Sequence, residues 1–443
     1  LKRFLALPSL WGFLVHIVFL GNCQVASLGQ ILSRFVAPYT GITTDFVDTF
    51  QNVVSTSYER LNRADVVVAQ ATSQPPPLDY SRIPNGVPVH WVPLVNGSFL
   101  YPYRGVVHPN NPIARYGNPP YQPEYNDRFL ARLINANVSA DDALLQYQAH
   151  DVAESGHVGR LYELAIEGQR ILDDRTGYDC SRIIETYLPT EPLFQSGYHF
   201  GGRIGRHIAA ELCNRIGFDP KYSARITNFL RESPFVPRYV PIHPSVAKHF
   251  GMRWVKEETR YPFLWEGAFT FNQYVLRFMQ AHWSPTLQEG IIDAKRNEAG
   301  ARAKLETGLQ DAPLSAMGAH ELSRILEHDG DLENALIWQR RAVANATYQP
   351  ESADNTGFRL RLAALLRKAG KTDEAVRILR DATAADPINA HGWSALRNAL
   401  LDCGLVTEAY QAALQVVEYE PNTEAAQNVL EKIRVRLDHS RRA

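Results

Sequence analysis

Two residues of this 443-residue chain sit where nucleophilic chemistry is physically reasonable. The first is Cys23, inside HIVFLGNCQVASLGQIL at residues 16–32. Residues 15–20 form a short, β-branched-rich run stopped by Gly21-Asn22, the signature of a buried parallel strand. Beyond it Val25, Leu28, Ile31, Leu32 and Phe35 recur at helical spacing. A cysteine at that junction meets the N–H groups and dipole of a helix N-terminus, which favour the thiolate and lower its pKa from about 8.5. The same N–H groups can hold an oxyanion once the sulfur attacks a carbonyl, and Asn22 and Gln24 add side-chain amides on either side. An inert thiol is nevertheless the commoner fate of a cysteine, and position alone does not decide.

The second residue is His199, in SGYHFGGR, just ahead of an amphipathic helix with Ile204, Ile208, Ala209, Leu212 and Ile216 on its apolar face. In a Gly-rich loop its ring can face a cleft and serve as the base of a Cys/His pair. His207, on the helix itself, reads as structural, and His90, His108, His150 and His157 lack a comparable setting. Arg203 and Arg206 flank the helix start, where an anionic group could bind. Gln70 ends a second apolar run (residues 64–69), at the ligand-binding edge of an open α/β sheet. No Walker loop or dinucleotide fingerprint is present.

The elements that must position these residues follow from patterning. A third strand is expected over residues 87–94, with Pro88 and Pro93 marking its ends or an edge, and a helix-compatible stretch spans residues 45–62. Strands alternating with helices predict a parallel sheet covered on both faces. Residues 74–78 are Pro-rich, and residues 96–125, rich in Pro, Gly, Tyr and Asn, read as a long functional loop. Helices are expected from residue 128 to 173, with a capped start in SADDALLQY, and again over residues 271–279. The C-terminal third is self-similar: Gly370 and Gly404, Ala375 and Ala409, and Pro387 and Pro421 recur at 34 residues, whereas Gly330 precedes Gly370 by 40. A helix–turn–helix unit of that length, with Gly in the turn and Pro after the second helix, is the tetratricopeptide pattern. Such an array implies a protein partner.

Composition narrows the function. The chain is 45% hydrophobic and 21% charged with a net charge of −1, which offers no basic excess for a nucleic acid. Its four cysteines are far apart, predicting a reducing, cytoplasmic setting and no metal framework. Lys2 and Arg3 precede an apolar run over residues 4–20, but Pro8, Ser9, Gly12 and His16 interrupt it, and Asn22 stands where a lipid-attachment signal needs a small residue. Cys23 is therefore expected to be retained after a strand. No stretch reaches the ~18 apolar residues of a membrane span.

Residues 16 to 279 resemble the WcbI-type polysaccharide-biosynthesis proteins, through VFLGNCQ, ADVVVAQ, LFQSGYHF with the helix after it, and YVPIHPSVAKHFGMRW with FTFNQYV. The resemblance implies an SGNH-hydrolase-like three-layer α/β domain with a parallel sheet, coenzyme A or acetyl-CoA as cofactor, and acetyl transfer to a saccharide of a capsule or other surface polysaccharide. Cys23 would stand at the nucleophile position, with Gly21, Asn22 and Gln24 as its loop, Gln70 after the second strand and His199 before the later helix. Phe200 replaces the proline common after that histidine. Ser196 stands three residues before His199, where SGNH enzymes carry aspartate, so no third carboxylate is identifiable. The expected organisation is an α/β domain over residues 14–280, a helical linker over 281–312 and an all-α tetratricopeptide solenoid over 313–437. In it Cys23 and His199 are catalytic, Gly21, Asn22, Gln24 and Gln70 line the oxyanion and substrate site, and Arg203 and Arg206 bind cofactor. An esterase or deacetylase of the same fold, and a non-catalytic adaptor for polysaccharide-assembly enzymes, remain open.

Overall fold

The computed structural model describes residues 15–49, 55–72, 80–105, 108–109, 127–232, 240–263, 267–280, 285–313, 315–346, 353–387, 389–419 and 424–442. The residues before 15, the Pro-rich stretch at 74–78 and the 110–126 part of the Tyr-rich loop lie outside them. The chain divides into two compact units, Leu1–Val107 with Pro123–Thr259, and His108–Gln122 with Arg260–Ala443.

The first unit is built on a four-stranded parallel sheet of order β2-β1-β3-β4. Its strands are β1 (His16–Gly21), β2 (Thr43–Asp48), β3 (Val66–Ala71) and β4 (Val89–Pro93). Ile17, Val18, Phe19 and Leu20 of β1 are fully buried, each contributing about 1.5–3 kcal/mol over an exposed side chain. Successive side chains face opposite sides of a sheet. Helix α1 (Cys23–Phe35) lies on the Phe19 side, so close that a Cβ on Gly29 would stand 3.2 Å from the Phe19 ring. On the other side Val18 and Leu20, with Val47, Val67 and Ala69, pack against Leu61 and Tyr58 of helix Ser55–Leu61. Helices thus cover both faces, as strand–helix alternation predicts.

One element departs from expectation. Residues 43–48 are a strand rather than part of a helix over 45–62, and the helix starts only at Ser55. β2 is an edge strand whose residues are mostly only half buried, so TTDFVD never needs the apolar run that betrays a central strand. β4 is the other edge, consistent with Pro93 as its last residue. Further along, Ser139 caps helix Ala140–Ala149 through Asp142 N–H. Helices Val158–Thr176 and Cys180–Tyr187 lead to a short antiparallel hairpin, β5 (Phe194–Ser196) and β6 (His199–Phe200), and then to helix Gly202–Ile216.

The second unit opens with an antiparallel hairpin, β7 (Arg260–Phe263) and β8 (Gly267–Thr270), and helix Phe271–Met279, whose start is closed by a Thr270/Gln273 capping box. Helices Pro285–Lys295 and Ala301–Asp311 follow, in the stretch expected as a linker. They pack as a pair, with Gly308 so near that a Cβ would lie 2.6 Å from Leu287 Cα. Leu287, Ile291, Leu305 and Leu309 share one core with the repeats beyond. Three helical hairpins come next: Ala316–His328 with Leu332–Ala346, Ala353–Lys368 with Thr372–Ala385, and Ala390–Asp402 with Val406–Tyr419, then helix Glu424–Arg442. Gly330, Gly370 and Gly404 occupy the three turns at φ +86°, +73° and +73°, a left-handed conformation that L side chains rarely adopt. Ala335, Ala375 and Ala409 are fully buried where the helices touch. This is a tetratricopeptide stack. Among the described residues no helix is long and apolar enough to cross a membrane.

Candidate active site

Cys23 is the first residue of α1 and is exposed. Asn22 is the helix N-cap: its Oδ1 accepts the Gln24 N–H at 2.9 Å, and its carbonyl accepts from Val25 and Ala26. The Asn22 N–H donates to Gln70 Oε1 at 3.0 Å. Gly21 permits that approach, because a Cβ there would fall within 2.7–2.9 Å of Val25 Cγ2 and of Gln70 Cβ and Oε1. The strand-to-helix turn is therefore fastened to β3 by a buried amide.

Gln24 and Gln70, expected as amide donors to a substrate oxyanion, instead turn into the protein, at 4% and 1% exposure. Gln24 Nε2 donates to the carbonyls of Val95 and Tyr198, both at 2.7 Å, while its Oε1 accepts from the Val95 N–H at 3.1 Å and from Gln70 Nε2 at 3.3 Å. A buried amide left unmatched would be costly, and these two are matched to one another and to backbone. They join the α1 turn, β3, the end of β4 and the β5–β6 hairpin.

That junction brings together the backbone segments that carry the two chemical residues. Tyr198, whose carbonyl Gln24 holds, immediately precedes His199, and Gln24 immediately follows Cys23; α1 and β6 are in contact. His199 lies in a strand of the hairpin rather than in a loop. Its Nδ1 shares a hydrogen bond of 2.7 Å with Ser196 Oγ, and Ser196 is fully buried. Ser196 thus orients the imidazole from the position where a carboxylate would add charge. Sequence reasoning missed this partner because it searched for an acid. The other cysteines are placed differently. Burial pushes the Cys180 thiol well up and the Cys213 thiol up to about 12, and burial together with Asp373 raises Cys403.

Arg203 and Arg206 line one cleft of about 460 Å³, together with Arg182, Tyr187, His207 and Asn214. Arg182 and Arg203 each have a carboxylate partner. Arg182 pairs with Asp179 at 2.5 Å. Arg203 forks onto Glu191, with Nε donating at 2.6 Å, and lies 3.7 Å over the Tyr187 ring. The arginine holds the Glu191 carboxyl below its ordinary range. A second cleft, of about 580 Å³, is lined by Asn96, Ser98, Phe99, Arg104, Leu161 and Leu164 among others. It belongs to the described part of the Tyr-rich loop, whose composition was the only sequence signal for it. Among the described residues no group of three or more His, Cys, Asp or Glu is arranged to hold a metal ion.

Comparison with known proteins agrees with both units. The profile of the polysaccharide biosynthesis enzyme WcbI matches residues 16–221, and a tetratricopeptide-repeat profile matches residues 366–433. No curated protein matches significantly. Solved structures similar to this chain include MamA from AMB-1 (21% identity, 34% of this chain and 88% of that one, TM-score 0.31). The first TPR of Spaghetti (RPAP3) bound to an HSP90 peptide is also similar (21% identity, 28% and 95%, TM-score 0.25). So is the Sgt2 TPR domain from Aspergillus fumigatus (20% identity, 29% and 82%, TM-score 0.26). Over residues 16–221 the chain is thus similar to the polysaccharide biosynthesis enzyme WcbI, and it carries this region together with a C-terminal tetratricopeptide-repeat region.

Proposed function

We propose that this chain transfers an acyl group, in the simplest case acetyl, from coenzyme A to a sugar hydroxyl during polysaccharide assembly. The observation that carries the reading is the Ser196–His199 pair, fastened by Gln24 beside a helix N-terminus that presents an exposed cysteine. Acyl-coenzyme A, when bound, would supply a thioester carbonyl and a thiol leaving group. Cys23 Sγ attacks that carbonyl after His199 takes its proton, and His199 returns the proton to the departing thiol. In the second half His199 takes the proton of the sugar hydroxyl, whose oxygen attacks the acyl carbon. Cys23 leaves as thiolate and takes that proton from His199, which restores both groups. Ser196 is a positioning residue: with its oxygen accepting from Nδ1–H, Nε2 is the nitrogen that exchanges protons. Oxyanion stabilisation falls to the α1 dipole at Cys23, since the Gln24 and Gln70 amides serve the scaffold.

A cofactor with a phosphate end fits best where a cation lacks a carboxylate partner. Arg203 does not meet that test, because Glu191 already pairs with it; Arg206 lies beside it in the same cleft. Four free thiols and a need for acyl-coenzyme A support a cytoplasmic setting for this reading. The repeat region would dock a protein partner, such as another enzyme of the assembly. Intact-mass measurement after brief exposure to acetyl-CoA, without and with a saccharide acceptor, tests the reading. An acetyl adduct on Cys23 that the acceptor discharges is expected. Acyl release to water at the same rate with or without acceptor would make the chain a hydrolase.

A further inference from the structure

Arg104 lies along the wall of the 580 Å³ cleft. Its Nη2 donates to the Tyr198 hydroxyl at 3.0 Å, and its guanidinium stands 4.6 Å from the centre of the same ring. Among the described residues it has no carboxylate partner, unlike Arg203 with Glu191, Arg182 with Asp179 and Arg215 with Glu211. The chain is shaped to leave it there. Gly197 has no side chain where a Cβ would stand 3.3 Å from Arg104 Cδ and Nε and 3.0 Å from Ser98 Oγ. The Gly97 N–H donates to the Gly197 carbonyl at 2.9 Å, which docks the 96–105 segment onto the hairpin. Asn96 Oδ1 accepts from Ser98 and fixes the start of that segment. The lining of the same cleft includes apolar Leu161 and Leu164, at 38% and 48% exposure.

We infer that Arg104, held by Tyr198, binds an anionic group of a substrate, a carboxylate or a phosphate, in a subsite one residue along the chain from His199. A guanidinium without a counter-charge among the described residues, stacked on an aromatic ring in a cleft that is partly apolar, is underused unless an oxyanion completes it. Two sources share that chemistry: the carboxylate of an acidic sugar acceptor, and a phosphate of the acyl donor. The inference rests on the acyl-transfer reading for the identity of the substrates but not for the existence of the subsite.

The test is equilibrium binding by calorimetry on the full chain, with coenzyme A against pantetheine in one arm and methyl glucuronide against methyl glucoside in the other. The wild type and the Arg104→Gln, Arg104→Lys and Cys23→Ala variants are compared, with melting temperatures as the folding control. At least one anionic probe should bind about 10- to 100-fold more tightly than its neutral counterpart. Arg104→Gln should erase that preference, Arg104→Lys should keep part of it, and Cys23→Ala should leave it intact. Preference in the first arm assigns the subsite to the donor and in the second to an acidic acceptor. Absence of any anion preference, or its persistence in folded Arg104→Gln, would overturn the inference. If Arg104→Gln does not fold, Tyr198→Phe replaces it: keeping the ring but losing the hydroxyl, it should weaken the preference severalfold, and an unchanged preference would overturn the inference. Loss of turnover in Cys23→Ala with the anion preference intact would bear on catalysis alone.

Discussion

At the scale of single residues, four cysteines and several histidines are sorted by where the backbone puts them. Cys23 is exposed at a helix N-terminus, while burial pushes Cys180 and Cys213 up and Asp373 adds to the rise at Cys403. A neutral alkylating agent should therefore label Cys23 first, with a rate midpoint below the ~8.5 of a free thiol. Peptide mapping of the label across pH checks it, and equal slow labelling of all four would contradict it. Ser196→Ala should lower kcat by roughly 10-fold while leaving KM nearly unchanged, because the imidazole loses its orientation but substrate contacts remain. The place of Cys23 at a strand-to-helix junction was legible in the sequence from its neighbours, whereas His199, expected in a loop, lies in a strand of the hairpin. Ser196 as the histidine's partner was not legible, because a hydroxyl three residues upstream resembles any other serine until the hairpin folds back.

At the scale of elements, the turn between β1 and α1 sets Cys23, exposed, at a helix N-terminus. Gly21→Ala should cost about 1–3 kcal/mol, since its Cβ would push on Val25 and Gln70 in a fully packed corner. Asn22→Ala removes the cap on Gln24 N–H and should cost about 1 kcal/mol while slowing thiol alkylation. Chemical denaturation and labelling of the same variants check both. The central strands and α1 could be read from apolar periodicity. β2 could not: as a half-exposed edge its TTDFVD carries polar residues at most positions, and pairing with β1, a non-local fact, decides its conformation. The roles of Gln24 and Gln70 were hidden for the same reason. An amide beside a nucleophile looks like an oxyanion donor until its partners, Val95 and Tyr198, arrive from 71 and 174 residues away.

At the scale of the whole chain, the 34-residue recurrence of Gly, Ala and Pro exposed the repeat region. The helical pair at 285–311 was expected only as a helical linker because it lacks those marks, yet it shares the repeats' core. Ion pairs such as Arg340–Glu374 and Arg361–Glu327 span 34 residues, tying each repeat to the next. Within the first hairpin, burial first and Arg361 second lower His320 to about 4, and its Nδ1 shares a hydrogen bond with the fully buried Gln339. Its folded pKa lies below the unfolded 6.5, so the unfolded chain binds the extra proton between those values. The stability His320 confers by staying neutral is present above pH 6.5 and falls as pH drops towards about 4, with a slope of at most about 1.4 kcal/mol per pH unit. Thermal melts of wild type and His320→Gln over that window check it, the variant showing the shallower dependence. The most direct test of the central claim is a double-mutant cycle on acetyl-CoA turnover by the full chain, with Cys23→Ala, His199→Ala and the pair. Residues acting as one unit should each lose roughly 10²- to 10⁴-fold in kcat, with the double variant little lower than either. Strictly additive losses, or wild-type turnover without His199, would contradict it.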